Sequence, residues 1–279
     1  MTMSLHLQTV PARNGLLWMR HGFKVLQRRP LGLTGLYAMT VTAGLLLPML
    51  LPPLGFVTLM ALPLVSLGFM LATHLVLQKL VPTPAVFIAP LKLTPERRKT
   101  QLWLGLIYAL LMTLAVMAAQ TIDGGAFGDL QELMQEDKPN QEAIAAALAD
   151  PRLFWGGVTL ALLVTLISAA FWHAPALVHW GGQGLMQALF SSCLGVWRNK
   201  AAFALNGLAW IGLLIATSMI TGLIAGLLSL PAALMGMLAL TLGLVLSTAF
   251  YSSLYFSFVD CFMFGAPREL PGEKQPPGL

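Results

Sequence analysis

Apolar residues run through this chain in six long blocks, at 31–51, 54–77, 102–119, 153–172, 201–228 and 232–264. A helix rises about 1.5 Å per residue and a bilayer's hydrocarbon slab is about 30 Å thick, so about 17–25 apolar residues suffice to cross it. Each block therefore predicts a transmembrane helix. Pro52-Pro53 and Ser229-Leu230-Pro231 leave room only for tight turns, so the first two blocks and the last two form hairpins. Thr94-Pro95-Glu96 and Asp150-Pro151 each place a capping side chain before a proline at the first helical position. The first block is too long for a cleavable signal and has no small-residue cleavage site behind it, so the amino terminus is expected to be retained.

Two further stretches carry helical periodicity without being long or apolar enough to span. In 11–29, Leu16, Met19, Phe23 and Leu26 oppose Arg13, Arg20, Lys24 and Arg28. In 184–199, Leu185, Met186, Leu189, Phe190, Cys193 and Trp197 oppose Gln187, Ser191 and Arg198. A basic face opposite an apolar one predicts a helix lying in the membrane interface, so 1–30 and 175–200 are read as cytoplasmic interfacial segments. At an offset of 170 residues Arg28 falls on Arg198, and each half reads as interfacial helix, span, turn, span. Both copies begin on the same side, which makes this a parallel pseudo-repeat, unlike the inverted repeats of many transporters. The competing account, that any two amphipathic helices followed by apolar runs align this way, stays open.

Charge then orients the spans. Fourteen of the sixteen basic residues fall before span one, between spans two and three, between four and five, and after six; Lys138 and Arg152 are the exceptions. The bias of Lys and Arg towards the cytoplasm puts both termini, including the tail 265–279, on that side. Seven acids, Asp123, Asp129, Glu132, Glu136, Asp137, Glu142 and Asp150, fill the exterior, periplasmic loop 121–150. Short helices are expected there at 130–135 and 141–149, the second begun by Asn140. The formal charge of +5 is thus mostly topology and gives no reason to expect nucleic-acid binding. The basic side would suit anionic lipid headgroups. With 57% hydrophobic and 10% charged residues, the chain is excluded from the soluble, disordered and disulfide-framework classes.

The block Phe171-Trp172-His173-Ala174-Pro175-Ala176-Leu177-Val178 continues through Ala188-Leu189-Phe190-Ser191-Ser192 to Trp197-Arg198-Asn199. It resembles a pattern in a family of uncharacterised bacterial polytopic inner-membrane proteins. Val10-Pro11-Ala12-Arg13, Gly22-Phe23 and Phe87-Ile88-Ala89-Pro90 resemble the same family. That family looks distantly similar to the membrane domains attached to some glycerophosphodiester phosphodiesterases. The resemblance implies a six-helix inner-membrane protein and no activity of its own.

The chemistry carried by the chain is sparse. A P-loop, HExxH, CxxC and GxSxG are all absent from the sequence. From the exterior end of their spans, His74 lies about 30 Å in, His173 about 33 Å and Asp260 about 43 Å, all at or beyond the cytoplasmic boundary. The midplane is left almost free of ionisable groups, unlike ion-coupled transporters. The plain reading of His74, His173, His179 and Asp260 is snorkelling or hydrogen bonding at the interface. Sharper readings have the three histidines converge on a metal or haem, or form a lipid-headgroup pocket with Arg198 and Lys200. Gly222 and Gly226 make a GxxxG in span five, and Gly236 and Gly243 a small-residue stripe in span six. Both suit helix packing within the protein, or a homodimer face.

The chain is therefore expected to be all-α, with six transmembrane and two interfacial helices, no cofactor, no metal and no catalytic constellation. A non-catalytic accessory, scaffold or assembly role follows, binding lipids or a membrane-protein partner. The alternative is a transporter or flippase for an apolar or lipid-like substrate, and a lipid-modifying enzyme would need the histidines and Asp260 within reach of one another.

Overall fold

The computed structural model describes residues 6–136 and 140–262, apart from the side chain of Ala232. The expected tail 265–279, the last two residues of the sixth block, and Lys138 lie outside the described residues. Within them the chain is all-α with no strand. Six helices are long and apolar enough to cross a membrane: α2 (Pro30–Leu50), α3 (Leu54–Leu77), α5 (Pro95–Asp123), α8 (Pro151–Phe171), α11 (Lys200–Leu228) and α12 (Ala232–Phe262). Between them lie α1 (Asn14–Arg28), α4 (Ala85–Ile88) with a 3₁₀ turn at Ala89–Lys92, α6 (Ala126–Gln135), α7 (Gln141–Leu148), α9 (Ala174–Gly181) and α10 (Leu185–Arg198).

Local chemistry sets the boundaries. Helix α5 begins seven residues before its apolar block because Pro95 starts it and the charged Glu96, Arg97, Arg98 and Lys99 continue it. The Thr94 side chain makes no capping hydrogen bond, contrary to expectation, so proline alone marks this start. Gly124, with φ 59°, ends the helix in the left-handed conformation that a side chain disfavours. Asp150 and Asn140 do cap: the Arg152 amide donates to Asp150 at 2.8 Å, and those of Glu142 and Ala143 to Asn140 at 3.0 and 3.3 Å. The expected single segment 175–200 is divided instead. Gly182 at φ 64° and the extended Gly184 separate α9 from α10, and Ala174 to Val178 of α9 are buried. Helix α9 thus packs into the core.

The face of α1 is rotated from the expected one: Leu26 of the expected stripe is buried and Met19 and Phe23 pack on the core, but Leu16 does not. Leu16, in the expected apolar stripe, is exposed, whereas Gly15, Trp18, His21, Gly22, Val25 and Leu26 are buried. Helix α1 docks between α11 and α12. Its two glycines explain the choice of face. A Cβ on Gly15 would collide with the backbone of Ala202 and Asn206, and one on Gly22 with the carbonyl of Ala249. A stripe of large residues could not come so close.

The buried core gathers at the end of the bundle that carries Arg20, Lys79 and Arg97, called here the basic end. Leu33 and Leu36 of α2, Leu67 to Val76 of α3, Ala202 to Trp210 of α11 and Thr248 to Phe262 of α12 supply it. Helices α5 and α8 also pack on each other, with Gly156 against Asp123 near the opposite, acidic end, where α2 meets α3 at Gly55 and Pro48. The order α1–α2–α3 matches α10–α11–α12, but the packing does not: α1 docks on α11 and α12, whereas α10 docks on α8 and α9.

Candidate functional site

The polar side chains of the basic end form three separate groups. In the first, His74 Nδ1 lies 3.0 Å from the Tyr255 hydroxyl and its Nε2 lies 3.0 Å from Gln78 Nε2. Trp180 sits between the rings of His74 and His179, at 6.4 and 5.1 Å. Arg97 donates to the carbonyl of His179 at 3.0 Å, closing the last turn of α9. A side chain on Gly182 would run into that guanidinium.

His173 heads the second group and is wholly buried among Phe203, Phe258 and Phe262. The Ser257 hydroxyl donates to the carbonyl of Leu254 at 2.8 Å and accepts from Trp172 Nε1 at 3.1 Å. His173 Nε2 lies 3.3 Å from the same oxygen. Ser192 of α10 accepts from the His173 amide at 3.0 Å and donates to the Ala169 carbonyl at 2.9 Å, tying α10 to the end of α8.

Asp260 heads the third. Its Oδ2 accepts from Asn14 Nδ2 at 2.7 Å and from Trp18 Nε1 at 2.8 Å, fixing α1 to α12. Asn199, at the corner between α10 and α11, works beside it. Its side-chain oxygen accepts from the Val10 amide at 2.7 Å, and its amide donates to the carbonyls of Gln8 at 2.9 Å and Gly195 at 3.0 Å. The Gln8 amide adds a 2.8 Å bond to the Cys261 carbonyl.

His74 and His179 are thus brought together, while His173 and Asp260 are held elsewhere by other partners. Among the described residues no three His, Cys, Asp or Glu side chains gather where they could hold a metal ion. The expected pocket joining the histidines to Arg198 and Lys200 is not formed. Those cations lie on the outer surface, where Lys200 Nζ stands 4.9 Å above the Trp197 ring. A buried histidine and a surface lysine answer to opposite demands of solvation. The reach between His74, His173 and Asp260 that acid–base chemistry would need is likewise not formed. Gly222, Gly226, Gly236 and Gly243 pack against nothing: a Cβ at any of them would meet no atom within 4 Å. Their expected use in packing within the chain is corrected accordingly, because the outer halves of α11 and α12 stand clear of the other helices.

Several residues that build these groups went unmarked in the sequence. Gln101, wholly buried, donates to the Pro175 carbonyl at 2.8 Å. Thr248, Ser252, Ser253 and Ser257 form a buried polar stripe on α12. Helical spacing was the available signal for the stripe. Gln101 carried none.

The chain is similar to a probable inner membrane protein of Burkholderia thailandensis. The two are 27% identical over 270 residues, which cover 95% of this chain and 97% of that protein. No family profile matches the chain, and no solved structure matches it. Likeness over nearly the full length, with six apolar helices, makes this a multi-pass helical membrane protein of the inner-membrane type.

Proposed function

We propose that this protein is a non-catalytic accessory or scaffold component of the bacterial inner membrane, both termini cytoplasmic, that binds an integral membrane protein through its α11–α12 hairpin. The observation that carries this reading is the division of that hairpin. Its basic ends are bolted to the core by Asp260, Asn199 and Trp210, while its outer halves meet no other part of the chain, and the most apolar stretch of α11 has no buried residue. Helix contacts in lipid form where small residues let backbones approach. Gly222, Gly226, Gly236 and Gly243 offer that approach and find no taker within the chain. The orientation rests on the placement of Lys and Arg.

Binding is favoured over passage of a substrate because the basic end is filled. Trp18, Leu33, Leu67, Phe69 and Phe258 are each at most 1% exposed there. Native mass spectrometry on protein extracted gently from its own membrane tests the proposal. An integral membrane protein at fixed stoichiometry is expected, and it should be lost from G222L/G226L. A bare monomer or homodimer carrying a retained small molecule would overturn it in favour of transport.

A further inference from the structure

Helix α10 is built inside out. Residues 188, 192, 195 and 199, which are Ala, Ser, Gly and Asn, face the protein and are buried. The large apolar residues lie on the other side: Met186 is 74% exposed, Phe190 68% and Trp197 70%, and Cys193 is exposed between them. These four positions are spaced by four, three and four residues, one continuous stripe of a helix. A helix facing water would turn this pattern round. Ser192 and Asn199 fix the rotation of α10 through their bonds to the Ala169 and Gln8 carbonyls, so the stripe cannot roll inwards.

Place and charge identify what covers the stripe. Trp197 precedes by three residues Lys200, where the spanning helix α11 begins, so this end of the stripe lies at the level where the chain enters the bilayer. Arg198 and Lys200 flank it, and no acidic residue occurs anywhere from 151 to 259. Lys200 stacks on the Trp197 ring, an arrangement that points an ammonium group outwards while its stem covers apolar surface.

We propose that α10 lies in the surface of the basic-side leaflet, with Met186, Phe190, Cys193 and Trp197 among the acyl chains and Arg198 and Lys200 on the phosphates of anionic phospholipids. This contact is separate from the partner surface on the α11–α12 hairpin and stands without it. The aromatic ring anchors the depth, and the two cations choose the headgroup.

Cys193 provides the probe. Cys261 is wholly buried, so an environment-sensitive thiol dye on the full chain tags Cys193, and C193S serves as the unlabelled control. Partial burial pushes the Cys193 thiol above its usual range, so labelling is run at mildly alkaline pH. In vesicles of phosphatidylethanolamine and phosphatidylglycerol, nitroxides on the acyl chains should quench the dye and aqueous iodide should not. Quenching by iodide, or by neither reagent because protein covers the stripe, overturns the insertion. In nanodiscs of the same lipids, R198Q/K200Q should reduce the phosphatidylglycerol retained on the protein about fivefold per charge removed. Unchanged retention overturns the headgroup contact.

Discussion

The two ends of this bundle are made from the same kinds of helix and held in opposite ways. At the basic end, α1 approaches α11 and α12 through Gly15 and Gly22, and hydrogen bonds from Trp18, Asn14 and Asn199 cross between elements far apart in sequence. At the acidic end, the outer parts of α2, α11 and α12 carry Leu, Ile and Met into the surroundings, with Met49, Leu223 and Met237 each more than 60% exposed. Lipid tails are as apolar as leucine, so hydrophobicity alone gives two spans no reason to touch. Close backbone approach and polar bonds do. The basic end has both, whereas on the outer halves of α11 and α12 Gly222, Gly226, Gly236 and Gly243 have no atom set against them; the close approach at the acidic end is that of α5 and α8 at Gly156. Cohesion of the protomer is therefore concentrated at one face, which leaves the other face open for contacts outside the chain.

Substitutions that strike the basic end should have the largest effects. Trp18→Ala removes a ring that is 1% exposed, packed at a tilt 5.0 Å from Phe203, and leaves Asp260 short of a donor. Truncating a buried tryptophan costs about 3–5 kcal/mol. Thermal unfolding in mild detergent should show the loss, and an unchanged midpoint would mean that α1 is not part of the core. Gly22→Val should follow, at about 3 kcal/mol, because the obstacles are the Ala249 carbonyl and the Ser253 backbone, neither of which can swing away. A tolerated valine would show that the close α1–α12 approach is not required. Asn199→Ala is smaller again, about 1–3 kcal/mol, since it leaves the Val10 amide and the Gln8 carbonyl unpaired. Amide exchange should rise at Gln8 and Val10 while α5 and α8 keep their protection. Uniform loss of protection would place Asn199 in the global core instead of in a local clamp.

These effects also mark where sequence reasoning reaches its limit. Spans were legible because bilayer thickness translates directly into residue number. The caps at Asp150 and Asn140 were legible because an acceptor before a helix start has one local use. The buried face of α1 was legible in part. Of the hydrophobic stripe, Leu26 is buried and Met19 and Phe23 pack against the core, but Leu16 is exposed, because the docked face is rotated towards Gly15 and Gly22, whose lack of a side chain admits α11 and α12. The grouping of polar residues followed the same rule. Depth along a span placed His74, His173 and Asp260 at or beyond the same membrane boundary, yet depth says nothing of direction around the bundle, and each turns to a different partner. Asn199 and Gln101 bond to backbone carbonyls and amides, which carry no sequence signature at all.

The smallest effect is the one that separates the two ends most sharply. Gly222→Leu with Gly226→Leu adds two large side chains to α11, the same helix that α1 docks upon at its other end. Neither position has an atom within 4 Å of an added Cβ, so the unfolding midpoint of the purified protomer should move by less than about 0.5 kcal/mol. Glycine is a poor helix former, and replacing it can even stabilise an unpartnered stretch slightly. A contrast with Gly22→Val of several kcal/mol, on residues of the same type in one chain, would localise cohesion to the basic end. If instead the double substitution destabilised the purified protein as much as Gly22→Val does, the outer halves of α11 and α12 would be packed against each other or a second copy in solution. The proposed partner face would then already be filled.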